Sequence, residues 1–289
     1  MTAVRPRRSL LFFPASNARA IEKAKTLPCD GVIFDLEDAV GPDAKDQARE
    51  QAAAAIRAGG FGPREVVVRI NGLDTPWWEA DLAAAAQAGA DAILVPKVSK
   101  MEDIGACSAR LKGRARLWAM IETCQALLRL DELGAASAQG GLDVWVVGPN
   151  DLAKEMRCRP GPDRWPLIPA LASVVIAARA HGLAVVDGVY NDFADVEGFA
   201  RQCRQGADLG FDGKSLIHPS QAPIANAAFS PDPEAIAWAR TIAAAYDLPE
   251  NAGRGAIPVE GRMVERLHLE DALRIIAVAD AIAAREEGG

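Results

Sequence analysis

The sequence predicts an α/β chain: a (β/α)8 (TIM) barrel over residues 1–229, followed by a C-terminal helical extension over 230–289. Three observations predict it. Short apolar runs bounded by polar residues or Gly/Pro recur eight times. Ala-rich stretches of helical spacing lie between most of them. No GxGxxG follows the first run, which leaves the open doubly wound sheet without support. Strands alternating with helices imply a parallel sheet covered by helices, and eight such units in roughly 220 residues suit a closed barrel.

In order, the predicted strands are 9–13, 31–36, 65–70, 91–95, 116–121, 143–148, 183–189 and 207–211. Helical spacing is clearest over 45–57, 77–87, 168–180 and 195–205, with Trp77 and Trp78 expected as packing anchors. Past Ser230-Pro231-Asp232-Pro233 the sequence predicts a helix over 234–246 and a loop over 248–255. A short run over 256–259, a turn at Glu260-Gly261 and a last helix over about 264–285 follow. This tail is expected to be too short for a core of its own and to pack on the barrel or on a neighbouring subunit.

Composition narrows the function. The chain has 289 residues, is 50% hydrophobic and carries a net charge of -7, which argues against a nucleic-acid surface. Five scattered cysteines without a CxxC pair read as reduced thiols of a cytoplasmic protein, and three histidines are too few for a His-based metal cluster. No stretch reaches the length of a membrane span. The basic start over 1–8 is followed by too short an apolar run for a signal peptide.

The chemistry concentrates at strand ends. Glu122 and Asp151 each follow an apolar run, so a barrel brings both to one rim, where two carboxylates offer hard oxygens to Mg²⁺. Taken alone, each acid reads better as a helix N-cap or first-turn acid, and the surrounding sequence is what reverses this. The second strand ends in Asp35-Leu36-Glu37-Asp38, acids crowded enough to require a nearby cation or full solvation. Arg69 interrupts an apolar run and needs an anion: a substrate carboxylate, an enolate oxygen, or Glu37 and Asp38. Lys97 after Pro96 suits pairing with these carboxylates better than Schiff-base chemistry. The stretch 210–215 fails as a phosphate loop because Asp208 stands where glycine is needed, and its glycines are expected to be turn formers. Lys214 and His218 are expected either to face a ligand or to serve the fold.

Several motifs then occur together in order. They are 8–14 (Arg-Ser-Leu-Leu-Phe-Phe-Pro), 34–40 (Phe-Asp-Leu-Glu-Asp-Ala-Val), Arg69-Ile70-Asn71, Pro96-Lys97-Val98, Ile121-Glu122-Thr123 and 213–221 (Gly-Lys-Ser-Leu-Ile-His-Pro-Ser-Gln). Over about residues 7–280 the chain resembles the HpcH/HpaI aldolase and citrate lyase superfamily, in particular its citrate lyase β-subunit-like branch with malyl-CoA and citramalyl-CoA lyases.

The resemblance implies Mg²⁺ held by Glu122 and Asp151. It implies Arg69 at the reacting carbon, Glu37 and Asp38 supporting water on the metal and the arginine, and a CoA arm passing Phe13, Pro14 and Arg19. It also implies a homotrimer or hexamer whose C-terminal segment lids a neighbouring site. The expected activity is carbon–carbon cleavage of a 3-hydroxyacyl-CoA through an acetyl-CoA enolate, with Arg69 as oxyanion donor and a lid acid as proton donor. Two features depart from that pattern. Glu265 in Gly261-Arg262-Met263-Val264-Glu265 replaces the lid aspartate, which keeps an acyl-CoA thioesterase as an alternative. Gly148-Pro149-Asn150-Asp151-Leu152 is similar to the pyruvate-aldolase branch, which keeps a free 2-oxo acid substrate open. An accessory subunit binding an acyl carrier is the non-catalytic alternative.

Overall fold

The structure, a computed structural model, describes residues 4–287. Residues 1–3 of the basic start, and 288–289, lie outside the described residues. Two compact units divide the chain, one running from Arg7 to Phe229 and the other from Ser230 onward together with the residues before Arg7.

In the larger unit eight parallel strands close in sequence order: β1 (Ser9–Pro14), β2 (Gly31–Asp35), β3 (Glu65–Arg69), β4 (Ala92–Val95), β5 (Arg116–Ile121), β6 (Leu142–Val147), β7 (Ala184–Asp187) and β8 (Gly213–Leu216). The last pairs with the first through Ser9 and Lys214. Alternate residues point into the barrel, where Leu10, Ile33, Val67, Leu94, Trp118, Met120, Val146 and Val186 pack as one cluster. Their neighbours of opposite parity, such as Leu11, Phe34, Val68 and Ile93, join the surrounding helices in the larger core. Both faces of each strand are thus buried, which is why these strands read as unbroken apolar runs.

The helices over 45–57 and 168–180 appear as Lys45–Ala58 and Ile168–Ala180. The eighth strand is a correction. Residues 207–211 are not a strand: Ala207 to Leu209 continue the helix Val196–Leu209, which Gly210 ends in a left-handed turn at φ 94°. The strand that closes the barrel is Gly-Lys-Ser-Leu, so Gly213 lies in a strand rather than a turn. A β-carbon on Gly213 would stand 1.8 Å from the Arg7 carbonyl oxygen, so the close approach to the chain entering β1 requires glycine. Lys214 points away from the barrel interior and is fully buried. Its Nζ donates to Asp187 Oδ2 at 2.7 Å, while Arg164 Nη1 donates to Asp187 Oδ1 at 2.7 Å. A charge inside a strand is tolerated here because the Asp187 carboxylate pairs with it, and that hid β8 from hydrophobic patterning.

The smaller unit also departs from expectation. A helix Pro233–Asp247, an antiparallel hairpin of β9 (Ala256–Val259) and β10 (Arg262–Glu265), and a helix Arg266–Glu287 enclose a core of their own. Ala239, Ile242, Tyr246, Ile257, Val259, Val264 and Ala272 are buried together there. The hairpin makes this possible: its alternation turns Ile257, Val259 and Val264 inward, and Tyr246 Oη donates to the Val264 carbonyl at 2.9 Å. The last helix accordingly begins at Arg266, after the strand containing Glu265. Among the described residues no helix is long and apolar enough to cross a membrane.

Removing Asp187 leaves two buried cations without their shared anion. Asp187→Ala is expected to lower unfolding stability by about 3–5 kcal/mol, read as a shift of the urea midpoint. Asp212→Ala, which breaks a half-exposed pair with Arg179, is expected to cost about 1 kcal/mol or less.

Candidate active site

Strand parity decides which side chains reach the cavity at the C-terminal rim. On β2 and β3 the inward positions end at Asp35 and Arg69, which are direct partners in the register of these strands. Beyond β5 the inward series through Trp118 and Met120 continues to Glu122. Asp151 enters from the first turn of the helix Pro149–Met156 after β6.

Arg69 is buried and spoken for on two edges. Its Nε donates to Asp35 Oδ1 at 2.7 Å and its Nη2 to Asp35 Oδ2 at 2.6 Å. The third edge, Nη1, lies 3.1 Å from Glu37 Oε2 and 3.5 Å from Asp38 Oδ2. The guanidinium stands 5.0 Å from the centre of the Phe12 ring. Burial opposes its charge, but Asp35 and then Glu37 and Asp38 outweigh that and raise its pKa. Sequence analysis had paired Arg69 with Glu37 and Asp38; the structure adds Asp35 as the bidentate partner.

Glu37 sits behind the cavity wall. Burial pushes its carboxyl pKa up against the pull of Arg69 and of Lys97, whose Nζ is ion-paired with Glu37 Oε1. Lys45, buried at the start of its helix, donates from Nζ to the carbonyls of Leu36 (2.8 Å) and Glu37 (2.7 Å) and fixes the turn that carries the acids.

Glu122 is 1% exposed. Its Oε1 accepts the Lys97 backbone N–H at 2.8 Å, while Oε2 is buried with no hydrogen-bond partner. A β-carbon on Gly148 would come within 2.1 Å of that oxygen, so glycine there keeps space beside it. Burial raises the carboxyl pKa to about 7; the Lys97 N–H opposes the shift, and the like charges of Glu37 and Asp151 add to it. An orphaned buried oxygen, a cradle a methyl group would fill and a second carboxylate on the same cavity fit a divalent cation. No group of three His, Cys, Asp or Glu side chains is arranged to hold a metal among the described residues. Two protein oxygens suit Mg²⁺, which keeps waters and substrate oxygens in its shell.

The cavity is lined by Phe12, Phe13, Pro14, Met120, Val147, Pro149, Val189 and Ile217 as apolar walls. Asp35, Asp38, Arg69, Glu122, Asn150, Asp151, Asn191 and Ser215 are its polar groups. Of the residues singled out in the sequence, Phe13, Pro14, Asp38, Arg69, Glu122 and Asp151 meet there. Glu37 and Lys97 stand behind them, and Arg19 is exposed on the helix Ala18–Ala24. Glu265 belongs to the smaller unit, exposed at the end of β10, with its N–H donating to His268 Nδ1 at 2.9 Å. Lys214 is buried against Asp187 and does not line the cavity, and His218 stacks on Phe193 with ring centres 4.8 Å apart. Sequence reasoning counted Asp35 among the crowded acids without giving it a role of its own, and it passed over Lys45 and the side-chain pair Asn150–Asn191 (2.9 Å). Parity would have found Asp35, because it lies two residues beyond the inward Ile33.

Residues 8–219 match the sequence pattern of the family described as HpcH/HpaI aldolase/citrate lyase. The chain is 49% identical over 279 residues to a (3S)-malyl-CoA thioesterase of Cereibacter sphaeroides, covering 96% of each chain. It is 37% identical over 309 residues to an L-malyl-CoA/beta-methylmalyl-CoA lyase of the same species, covering 97% of this chain and 96% of the relative. A crystal structure of CitE from Mycobacterium tuberculosis in complex with magnesium, acetoacetate and coenzyme A is similar at 30% identity and TM-score 0.75, covering 96% of this chain and 99% of that one.

A cation held by Glu122 would compete there with a proton. Above pH 7 its carboxylate is ionised and Mg²⁺ affinity is expected to be constant. Below that, affinity falls about tenfold per pH unit, measurable by titration calorimetry. Gly148→Ala is expected to abolish this binding at every pH, because its methyl group fills the space beside Oε2.

Proposed function

Because the chain belongs to the HpcH/HpaI aldolase/citrate lyase family, we propose that it is a Mg²⁺-dependent acyl-CoA thioesterase acting on a malyl-type 3-hydroxyacyl-CoA. The observation that carries the reading is the likeness to a (3S)-malyl-CoA thioesterase along 96% of both chains, at 49% identity against 37% for the lyase. The lid residue points the same way. Carbon–carbon cleavage needs an acid placed to protonate an enolate, and Glu265 extends one methylene beyond the aspartate of the lyase pattern. Hydrolysis forms no enolate and tolerates that change.

In this reading Glu122 and Asp151 hold the ion, which supplies Lewis acidity towards substrate oxygens. Arg69 presents Nη1, the edge Asp35 leaves open, to the carbonyl oxygen of the thioester as negative charge develops on it. Glu37 and Asp38 keep the guanidinium charged and order the attacking water. Water adds to the thioester carbon, the C–S bond breaks, and CoA leaves as the thiol beside the free acid. Phe13 and Pro14 give the acyl-CoA arm an apolar wall, with Arg19 further out for its phosphates. The smaller unit closes, as a lid, over the site of a neighbouring chain in a homotrimer or hexamer of a cytoplasmic enzyme.

Carbon–carbon cleavage is the second reading, favoured by the 37% identical lyase and by the presence of Glu122, Asp151 and Arg69. There Glu265 of a neighbouring chain protonates the acetyl-CoA enolate. With (3S)-malyl-CoA as substrate, hydrolysis predicts free thiol equal to the ester consumed, no 2-oxo acid, and loss of activity in EDTA. A 2-oxo acid equal to the ester consumed would establish the lyase instead. Turnover of free 2-hydroxy acids alone would place the chain with the aldolases. Glu122→Ala is expected to lower kcat/KM on the order of a hundredfold or more with an unchanged circular dichroism spectrum; full activity in that variant contradicts the site.

A further inference from the structure

We infer that Lys97 is a positioning residue whose left-handed backbone, rather than its ammonium group, fixes Glu122 with one oxygen committed and the other open for a cation. The inference rests on Glu122 as a divalent-ion ligand, as proposed above.

Lys97 follows β4 with φ 52°, a conformation that residues carrying a β-carbon rarely adopt. Other described non-glycine residues with positive φ have an ordinary reason for it. Lys112 and Arg157 end helices, Arg164 precedes a helical turn, and Glu260 makes the β9–β10 turn. Lys97 caps no helix. Its N–H is turned instead onto Glu122 Oε1 at 2.8 Å, which leaves Oε2 buried and unpartnered beside Gly148.

The conformation is clamped from the far side as well. The Lys97 carbonyl accepts from Ser99 Oγ at 3.1 Å, and that hydroxyl lies 3.1 Å from Thr123 Oγ1, on the residue after Glu122. The peptide of Lys97 is therefore held to both Glu122 and its neighbour. The ammonium goes elsewhere, to Glu37 Oε1, whose partner oxygen Oε2 lies 3.1 Å from Arg69 Nη1. One residue thus serves two carboxylates through different atoms: backbone to Glu122, side chain to Glu37. A donor fixed on one ligand oxygen sets the rotation of the carboxylate, as outer-shell partners do in metal sites.

The test separates the two roles. Glycine accepts the left-handed conformation without the ammonium, alanine resists it, and valine resists it most. Mn²⁺ binding is read on the full-length protein by loss of the free-ion electron paramagnetic resonance signal, for wild type, Glu122→Gln, Lys97→Gly, Lys97→Ala and Lys97→Val. Wild type is expected to bind and Glu122→Gln to fail. Lys97→Gly should bind within about threefold of wild type, and Lys97→Val roughly tenfold or more weaker, with Lys97→Ala between them. Melting curves identify any variant that does not fold, in which case the Gly–Ala comparison decides. Equal affinity in all three Lys97 variants, whether near wild type or equally weakened, overturns the inference. Wild type without Mn²⁺ binding, or Glu122→Gln binding as wild type does, overturns the cation site itself.

Discussion

The candidate site depends on one buried pair, Arg69 with Asp35. Their strands are paired so that the two residues lie side by side, and parity points both into the barrel. A guanidinium this buried requires an anion with matching geometry, and the fork of Asp35 supplies it. Two edges of Arg69 are thereby fixed and the third is aimed at Glu37, Asp38 and the cavity. Lys45 and Lys97 secure Glu37 from behind, one through its carbonyl and the other through its carboxylate. Asp35 at the end of β2 and Glu37 just beyond it are each held by a cation from another element, so these charges are in place before any ligand arrives.

That arrangement leaves Glu122 undersupplied with positive charge. Lys97 gives it a neutral peptide N–H and keeps the ammonium for Glu37. Arg69 lowers the Glu122 pKa less than burial, Glu37 and Asp151 raise it. A carboxyl whose pKa is raised to about 7, in a cavity it shares with a second acid, suits a divalent ion in place of a proton. The same electrostatics serve either hydrolysis or carbon–carbon cleavage, since both develop negative charge on an oxygen derived from a thioester. What differs is the acid that completes the reaction. Glu265 lies on a hairpin with its own small core; in the proposed lid role, the length of that side chain would bear on cleavage and not on hydrolysis.

Much of this was legible in the sequence because the barrel buries both faces of its strands. Apolar runs marked β1 to β7, and the acids and arginine following them marked the rim. Legibility stopped where charge is buried in pairs. Lys214 made β8 look like a loop, because the anion that accommodates it, Asp187, lies on another strand, and Asp35 was one of three acids with nothing in composition to set it apart. The run over 256–259 and the turn at Glu260-Gly261 were legible, but β10, which holds Glu265, was missed because a strand of four residues carries little pattern beside a long helix. The backbone of Lys97 has no sequence signal at all; a lysine after proline does not announce a left-handed turn. Backbone conformation and pairing were the hidden layer, whereas element order and residue type were visible.

The most direct test of the account is isotopic. (3S)-Malyl-CoA is turned over with Mg²⁺ in H₂¹⁸O, and the products are resolved by mass spectrometry. Hydrolysis at the thioester predicts CoA and the free hydroxy acid carrying one ¹⁸O in its new carboxylate, with no acetyl-CoA at any time. Acetyl-CoA appearing as the ester disappears would contradict it and assign the rim to carbon–carbon cleavage.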